Sequence, residues 1–174
     1  MVAHKRGIWS IIESNTKRRK AQTTILRKML ETGIRVNNDG RYYFGDIEIP
    51  DISISRALNV DRRVVRQTAD SILSNPDLEN IFTKLTPVTF FKDVAHYLGF
   101  TVIIVTSQPE RPGIISEVTS IMAKHKLIIR QALADDPELI KEPKLTLIIE
   151  GEIPAEVINE LQSIKVVKSL TIIK

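Results

Sequence analysis

The chain of 174 residues contains no cysteine. That excludes a disulfide framework, a thiolate nucleophile and every Cys-bearing zinc or iron–sulfur site. The longest apolar run is the four residues Val102–Val105, far short of the ~18–20 that a membrane-spanning helix needs. No apolar segment of signal-peptide length follows the basic stretch from Met1 to Gly7, which points to a cytoplasmic protein. Histidine is scarce, and His4, His96 and His125 are scattered, with no i, i+4 pair and no carboxylate at metal spacing. There is no Gly-rich phosphate loop and no Gly-x-Ser-x-Gly elbow. Asp135-Asp136 before Pro137 reads as a solvated turn rather than a metal pair. These absences argue against an enzyme, and no cofactor is expected.

With 43% hydrophobic and 26% charged residues the composition is that of a folded globular protein. At ~100–150 residues per domain the chain makes one large domain or two small ones. Charge favours two, because residues 1–98 carry a balance of +5 and residues 99–174 a balance of −1. A basic module joined to a near-neutral one suits contact with a polyanion, though +5 is also compatible with ordinary surface charge.

In the basic part, Ile8, Trp9, Ile11 and Ile12 fit one face of a short helix. A second helix is expected over Lys17–Thr32, capped by Asn15 or Thr16, with Ile25, Leu26, Met29 and Leu30 as its apolar stripe and Gly33 at its C-cap. Its first turn reads Lys17, Arg18, Arg19, Lys20. Four cations there oppose the helix dipole, so helix stability does not account for them; a solvated basic surface and a phosphate contact both do. Ile34 to Phe44, with an Asp39-Gly40 step, predicts a β-hairpin, and Gly45 and Pro50 are expected to end the extended stretch.

Ile52 to Leu73 carries most information. A short helix capped by Asp51, with Ile54, Ala57 and Leu58 inward, leads through a turn at Asn59 and Val60 to a helix capped by Asp61. Asn59 stands where a left-handed residue is needed. Val65, Ala69, Ile72 and Leu73 face inward, leaving Arg62, Arg63, Arg66, Gln67 and Asp70 outward. This is the helix-turn-helix pattern, used either to read DNA or as a structural or dimerising element. Arg forks to guanine or phosphate and Gln pairs with adenine, and here they sit in the turns that enter a major groove. Pro76 ends this helix, and a connecting helix is expected to hold Phe90 and Phe91 between modules and to end at Gly99.

From Phe100 onward the pattern is strand, helix, strand, strand, helix, strand over about 75 residues, the ferredoxin-like βαββαβ order. It predicts an antiparallel sheet with both helices on one face and the other face open to a partner, most simply a second copy. At the first strand-to-helix turn, Arg111-Pro112-Gly113-Ile114 combines a fixed entrance, a Gly and outward helical N–H groups, a setting for a carboxylate or simply a tight helix start.

That order and turn resemble the ACT domain, a small regulatory module that binds amino acids at the interface of paired domains. Nearly the whole chain resembles a mostly archaeal family of regulators predicted to act in amino-acid metabolism, on Gly45-Asp46-Ile47-Glu48-Ile49-Pro50-Asp51, Val60-Asp61-Arg62-Arg63-Val64-Val65 and Arg130-Gln131-Ala132-Leu133-Ala134-Asp135-Asp136-Pro137. The resemblance implies an α+β chain: a helix-turn-helix module with a β-hairpin over 1–86, a connecting helix over 87–99 and an ACT domain over 100–174. It implies an amino-acid site from Ser107, Gln108, Arg111, Gly113 and Ile114, with Ile128, Ile129 and Arg130 added, the last three from a partner chain where the domains pair. Where many ACT domains carry an Asn or Asp that meets the ligand amine, this sequence has Leu127-Ile128-Ile129, so that Arg130 and Gln131 could serve, or the domain binds another ligand or none. The expected partners are DNA with a palindromic operator, an amino-acid effector, and a second copy in a homodimer or higher even-numbered oligomer. A regulatory subunit that docks on an enzyme of amino-acid metabolism is the other reading.

Overall fold

The computed structural model describes residues 7–16, 19–107, 112–137 and 139–174. The chain divides into two units, Met1–Val88 and Thr89–Lys174.

The first unit begins with α1 (Ile8–Asn15) and α2 (Lys20–Thr32). Ile25, Leu26 and Met29 of α2 are buried against Ile12 of α1 in one apolar cluster. The expected cap is not used. Thr16 closes the end of α1 instead, its hydroxyl donating to the Ile12 carbonyl at 2.8 Å, and Arg19 occupies the α2 N-cap without a side-chain bond. Arg19 and Lys20 therefore begin the helix, while Lys17 and Arg18 lie outside the described residues. Gly33 ends α2 at φ 72°. The segment Thr86–Pro87 crosses it so closely that a Cβ there would meet the Thr86 carbonyl oxygen at 2.5 Å.

A small antiparallel sheet follows: β1 (Arg35–Val36), β2 (Tyr42–Phe44) and β3 (Ile47–Ile49). The third strand departs from the two-stranded expectation. Gly45 at φ 58° is the turn between β2 and β3 rather than the end of the extended stretch. Then come α3 (Asp51–Leu58), α4 (Arg62–Leu73) and α5 (Pro76–Phe82). Pro50, not Asp51, is the α3 N-cap. Ala57 is exposed, so Ile54 and the half-buried Leu58 carry the inward face of α3. Asn59 takes the left-handed conformation, φ 50° and ψ 50°, and the Ser55 hydroxyl ties the turn by donating to the Val60 carbonyl at 2.7 Å. Asp61 caps α4, accepting from the Arg63 amide at 2.7 Å. Val65, Thr68, Ala69 and Ile72 are its buried face.

In the second unit β4 (Phe100–Ser107), α6 (Ile114–Lys124), β5 (Ile129–Ala134), β6 (Lys144–Glu150), α7 (Ala155–Ser163) and β7 (Val167–Ile173) build an antiparallel sheet in the order β5-β6-β4-β7. Ile103 and Val105 of β4 and Leu145, Leu147 and Ile149 of β6 pack with Val118 and Met122 of α6 and Val157 and Leu161 of α7.

The other face of this sheet is not bare. The expected connecting helix is a 3-10 helix, Lys92–Leu98, and its Ala95 is buried on that face with Val102 and Ile148, joined by Phe90, Phe91 and Phe100. Gln131 fixes the segment before it. Its amide donates to the Thr89 carbonyl and accepts from the Phe91 N–H, both at 2.9 Å. Gln131 thus serves as a main-chain clamp, with one bond donated and one accepted by its amide.

Candidate functional site

Two clefts contain residues that the sequence singled out. In the first unit, Arg19 and Lys20 at the start of α2 face Gln67, Asp70, Ser71 and Ser74 of α4 across a cleft of about 710 Å3. The period of α4 explains the grouping, since positions 67, 70, 71 and 74 recur at i, i+3, i+4 and i+7 on one side. Gln22, buried at 4% exposure, forms the floor. Its carbonyl oxygen accepts from Arg19 and its amide donates to the Ser71 hydroxyl, both at 3.5 Å, which links α2 to α4.

Arg62, Arg63 and Arg66 are exposed along the first turns of α4. Among the described residues no ion pair or side-chain hydrogen bond is shown for these three guanidiniums or for Lys20. Arg62 and Arg63 also sit at the positive end of the helix dipole, where cations are unfavourable.

What orients α4 is Tyr42. Its ring is fully buried, and its hydroxyl donates to the Val65 carbonyl at 2.7 Å, fixing β2 to the middle of the helix. Burial pushes the phenol well above its ordinary value, so it stays a neutral donor. Sequence reasoning missed Tyr42 and Gln22. Ser71 was within reach, four residues after Gln67 on the same face, whereas a contact across 23 residues leaves no periodic signal.

In the second unit a cleft of about 670 Å3 opens beside the start of α6. Ser107, Gly113 and Ile114 line it, together with Asp135 and Pro137 from the segment joining β5 and β6 and Lys144 at the start of β6. Gly113 is the α6 N-cap at φ 104°, a backbone state that suits glycine. Gln108 and Arg111 lie outside the described residues. Ile128, Ile129 and Arg130 are not brought to this cleft within one chain. Ile129 pairs with Ile149, which pairs with Thr101, at the end of the sheet away from Ser107. Six strand residues separate the two levels, about 20 Å. Arg130 lies 3.6 Å from Glu150 and over the Phe100 ring at 5.5 Å. Among the described residues no group of three or more His, Asp and Glu is placed to hold a metal ion, and no helix is long and apolar enough to cross a membrane.

No family model matches the sequence, and no curated protein matches it. Among solved structures the chain is similar to a transcriptional regulatory protein of the AsnC family from Pyrococcus furiosus, at 10% identity over 87% of this chain and 85% of that one, with a TM-score of 0.28. It is similar to AsnC of E. coli at 12% identity over 88% and 89%, TM-score 0.25. A homoserine dehydrogenase from Thiobacillus denitrificans is matched at 17% identity over 76% of this chain but 30% of the enzyme, TM-score 0.32.

Proposed function

We propose that the chain is a ligand-responsive DNA-binding regulator of amino-acid metabolism. On this reading the first unit is a helix-turn-helix module whose α4 enters the major groove, and the second is a ferredoxin-like ACT domain. The observation that carries the proposal is that, among the described residues, no protein partner is shown for the exposed Arg62, Arg63 and Arg66 of α4 or for Lys20, which faces Gln67 across the cleft. Phosphates would neutralise them, and an Arg–guanine or Gln67–adenine pair would supply base readout. An amino acid would enter the cleft beside Gly113, its carboxylate on the first N–H groups of α6. A homodimer would carry two copies of α4 about 34 Å apart, the spacing of a palindromic operator.

The test is duplex selection from a randomised library, followed by titration of the selected duplex with and without each amino acid. Arg63→Ala and Arg66→Ala are expected to abolish specific binding while melting stays unchanged, and one or two amino acids are expected to shift wild-type affinity. Undiminished affinity in both variants refutes the assignment of α4. Failure to select any duplex, with an enzyme of amino-acid metabolism co-purifying, favours the regulatory-subunit reading.

A further inference from the structure

The basic surface does not stop at the cleft between α2 and α4. Arg19 and Lys20 line a second cleft as well, about 550 Å3 in volume, whose other walls include Trp9, Glu13, Thr23 and Arg27. Lys20, Thr24 and Arg27 are spaced i, i+4 and i+7, and all three are exposed on the outward side of α2. The Arg27 guanidinium lies over the Trp9 ring at 4.5 Å. Its neighbour Lys28 is neutralised by Glu31 at 2.6 Å, whereas Arg27 and Lys20 have no carboxylate partner among the described residues. Glu13 is the one carboxylate among the residues lining the second cleft.

We infer that this side of α2 is a second phosphate-contact surface, which grips the duplex flanking the bases that α4 reads. The inference rests on the DNA-binding reading of the first unit. Stacking on Trp9 holds the planar guanidinium extended, so little side-chain freedom remains to be lost when an anion arrives. Lys20 and Arg27 are about 10 Å apart along the helix, a span over which both can reach phosphates of one strand. Trp9 is half-buried and its exposed side carries Arg27, which leaves no ring face for an unpaired base and favours duplex backbone over single strands. Contacts of this kind set register and orientation and carry no sequence information.

The probe is the duplex selected by the wild-type chain, prepared in two forms: trimmed to the selected bases, and extended by about ten base pairs on each side. Wild type is expected to bind the extended form more tightly. The double variant Lys20→Ala, Arg27→Ala is expected to bind both forms alike. Its slope of log affinity against log salt on the extended form should be shallower by about two, near one per lost phosphate contact. The variant should weaken binding to selected and scrambled extended duplexes equally, whereas Arg63→Ala should lose the distinction between them. Both substituted side chains are exposed, and an unchanged melting temperature checks the fold. A double variant that keeps the wild-type slope and the wild-type preference for the extended form overturns the inference and leaves α4 readout standing. Wild-type protein that retains neither duplex overturns the DNA reading itself.

Discussion

In the first unit the strands among the described residues are two or three residues long, whereas β4 and β6 of the second run eight and seven. Strands that short cannot hold a sheet by themselves. The first unit compensates with polar ties between elements distant in sequence: Tyr42 to Val65, Gln22 to Ser71, and the Asn75 amide donating to Asn15 at 2.7 Å. The second is held by a broad apolar layer in which Leu145 to Ile149 are all buried. The cations of two helices also differ. Among the described residues no partner is shown for Arg62, Arg63 and Arg66 of α4, whereas Lys124 of α6 and His125 after it converge on Glu160.

The largest effects should come from the two cores. Phe82 and Leu147 are both fully buried. Phe82→Ala is expected to cost about 3–5 kcal/mol and Leu147→Ala about 2–5 kcal/mol. The chain has a single Trp, and Trp9 packs on the cluster that contains Phe82, so Trp fluorescence follows the first unit. Leu147→Ala is read by hydrogen exchange at the amides of β4 and β6. If the small sheet β1–β3 exchanged as slowly as β4 and β6 in wild type, the contrast between the units would fail.

Two helix-terminal glycines give a sharper and smaller comparison. Gly33 and Gly99 share nearly the same conformation, φ 72° and 71°, but the space at Gly99 is open whereas Gly33 faces the Thr86 and Pro87 backbone. Gly99→Ala should cost about 1–2 kcal/mol of left-handed strain. Gly33→Ala adds displacement of the crossing segment, so its loss in thermal melting should be the larger by about 1 kcal/mol or more. Equal losses would show that Thr86–Pro87 moves aside freely.

The sequence made some of this contrast legible and hid the rest for physical reasons. Periodicity located α4 and the strand and helix order after Phe100, because apolar spacing records which side of an element is buried. Asn59 and Asp61 were readable because turn and cap chemistry is local. Thr16 misled, since one hydroxyl can close the preceding helix as well as open the next. The side-chain ties were out of reach: no local pattern pairs Gln131 with the Thr89 and Phe91 backbone, 42 and 40 residues earlier. The candidate DNA surface was half visible. Its α4 residues followed from helix spacing, but only the packing of α2 on α4 puts Lys20 beside Gln67. Of the ligand residues assigned by resemblance, Ser107 and Ile129 fall at two ends of one sheet, a separation that register creates and that no local pattern records.

The smallest effect tests the difference in charge. The Lys124 and His125 hydrogen bonds hold the Glu160 carboxyl below its ordinary value of 4.5. A carboxylate whose folded value is depressed stabilises the fold above its unfolded value, and that contribution is lost as pH falls through the folded value. Glu160→Gln should therefore flatten the acid limb of melting temperature against pH below about 4.5 and leave the curve near neutrality little changed, since exposed pairs are screened by solvent. On α4 no such contribution comes from Arg62, Arg63 and Arg66, for which no carboxylate partner is shown among the described residues; its one carboxylate contact of this kind is the Asp61 cap. An acid limb unchanged by Glu160→Gln would mean that the Lys124–Glu160–His125 cluster adds nothing to the second unit and that charge pairing does not separate the two.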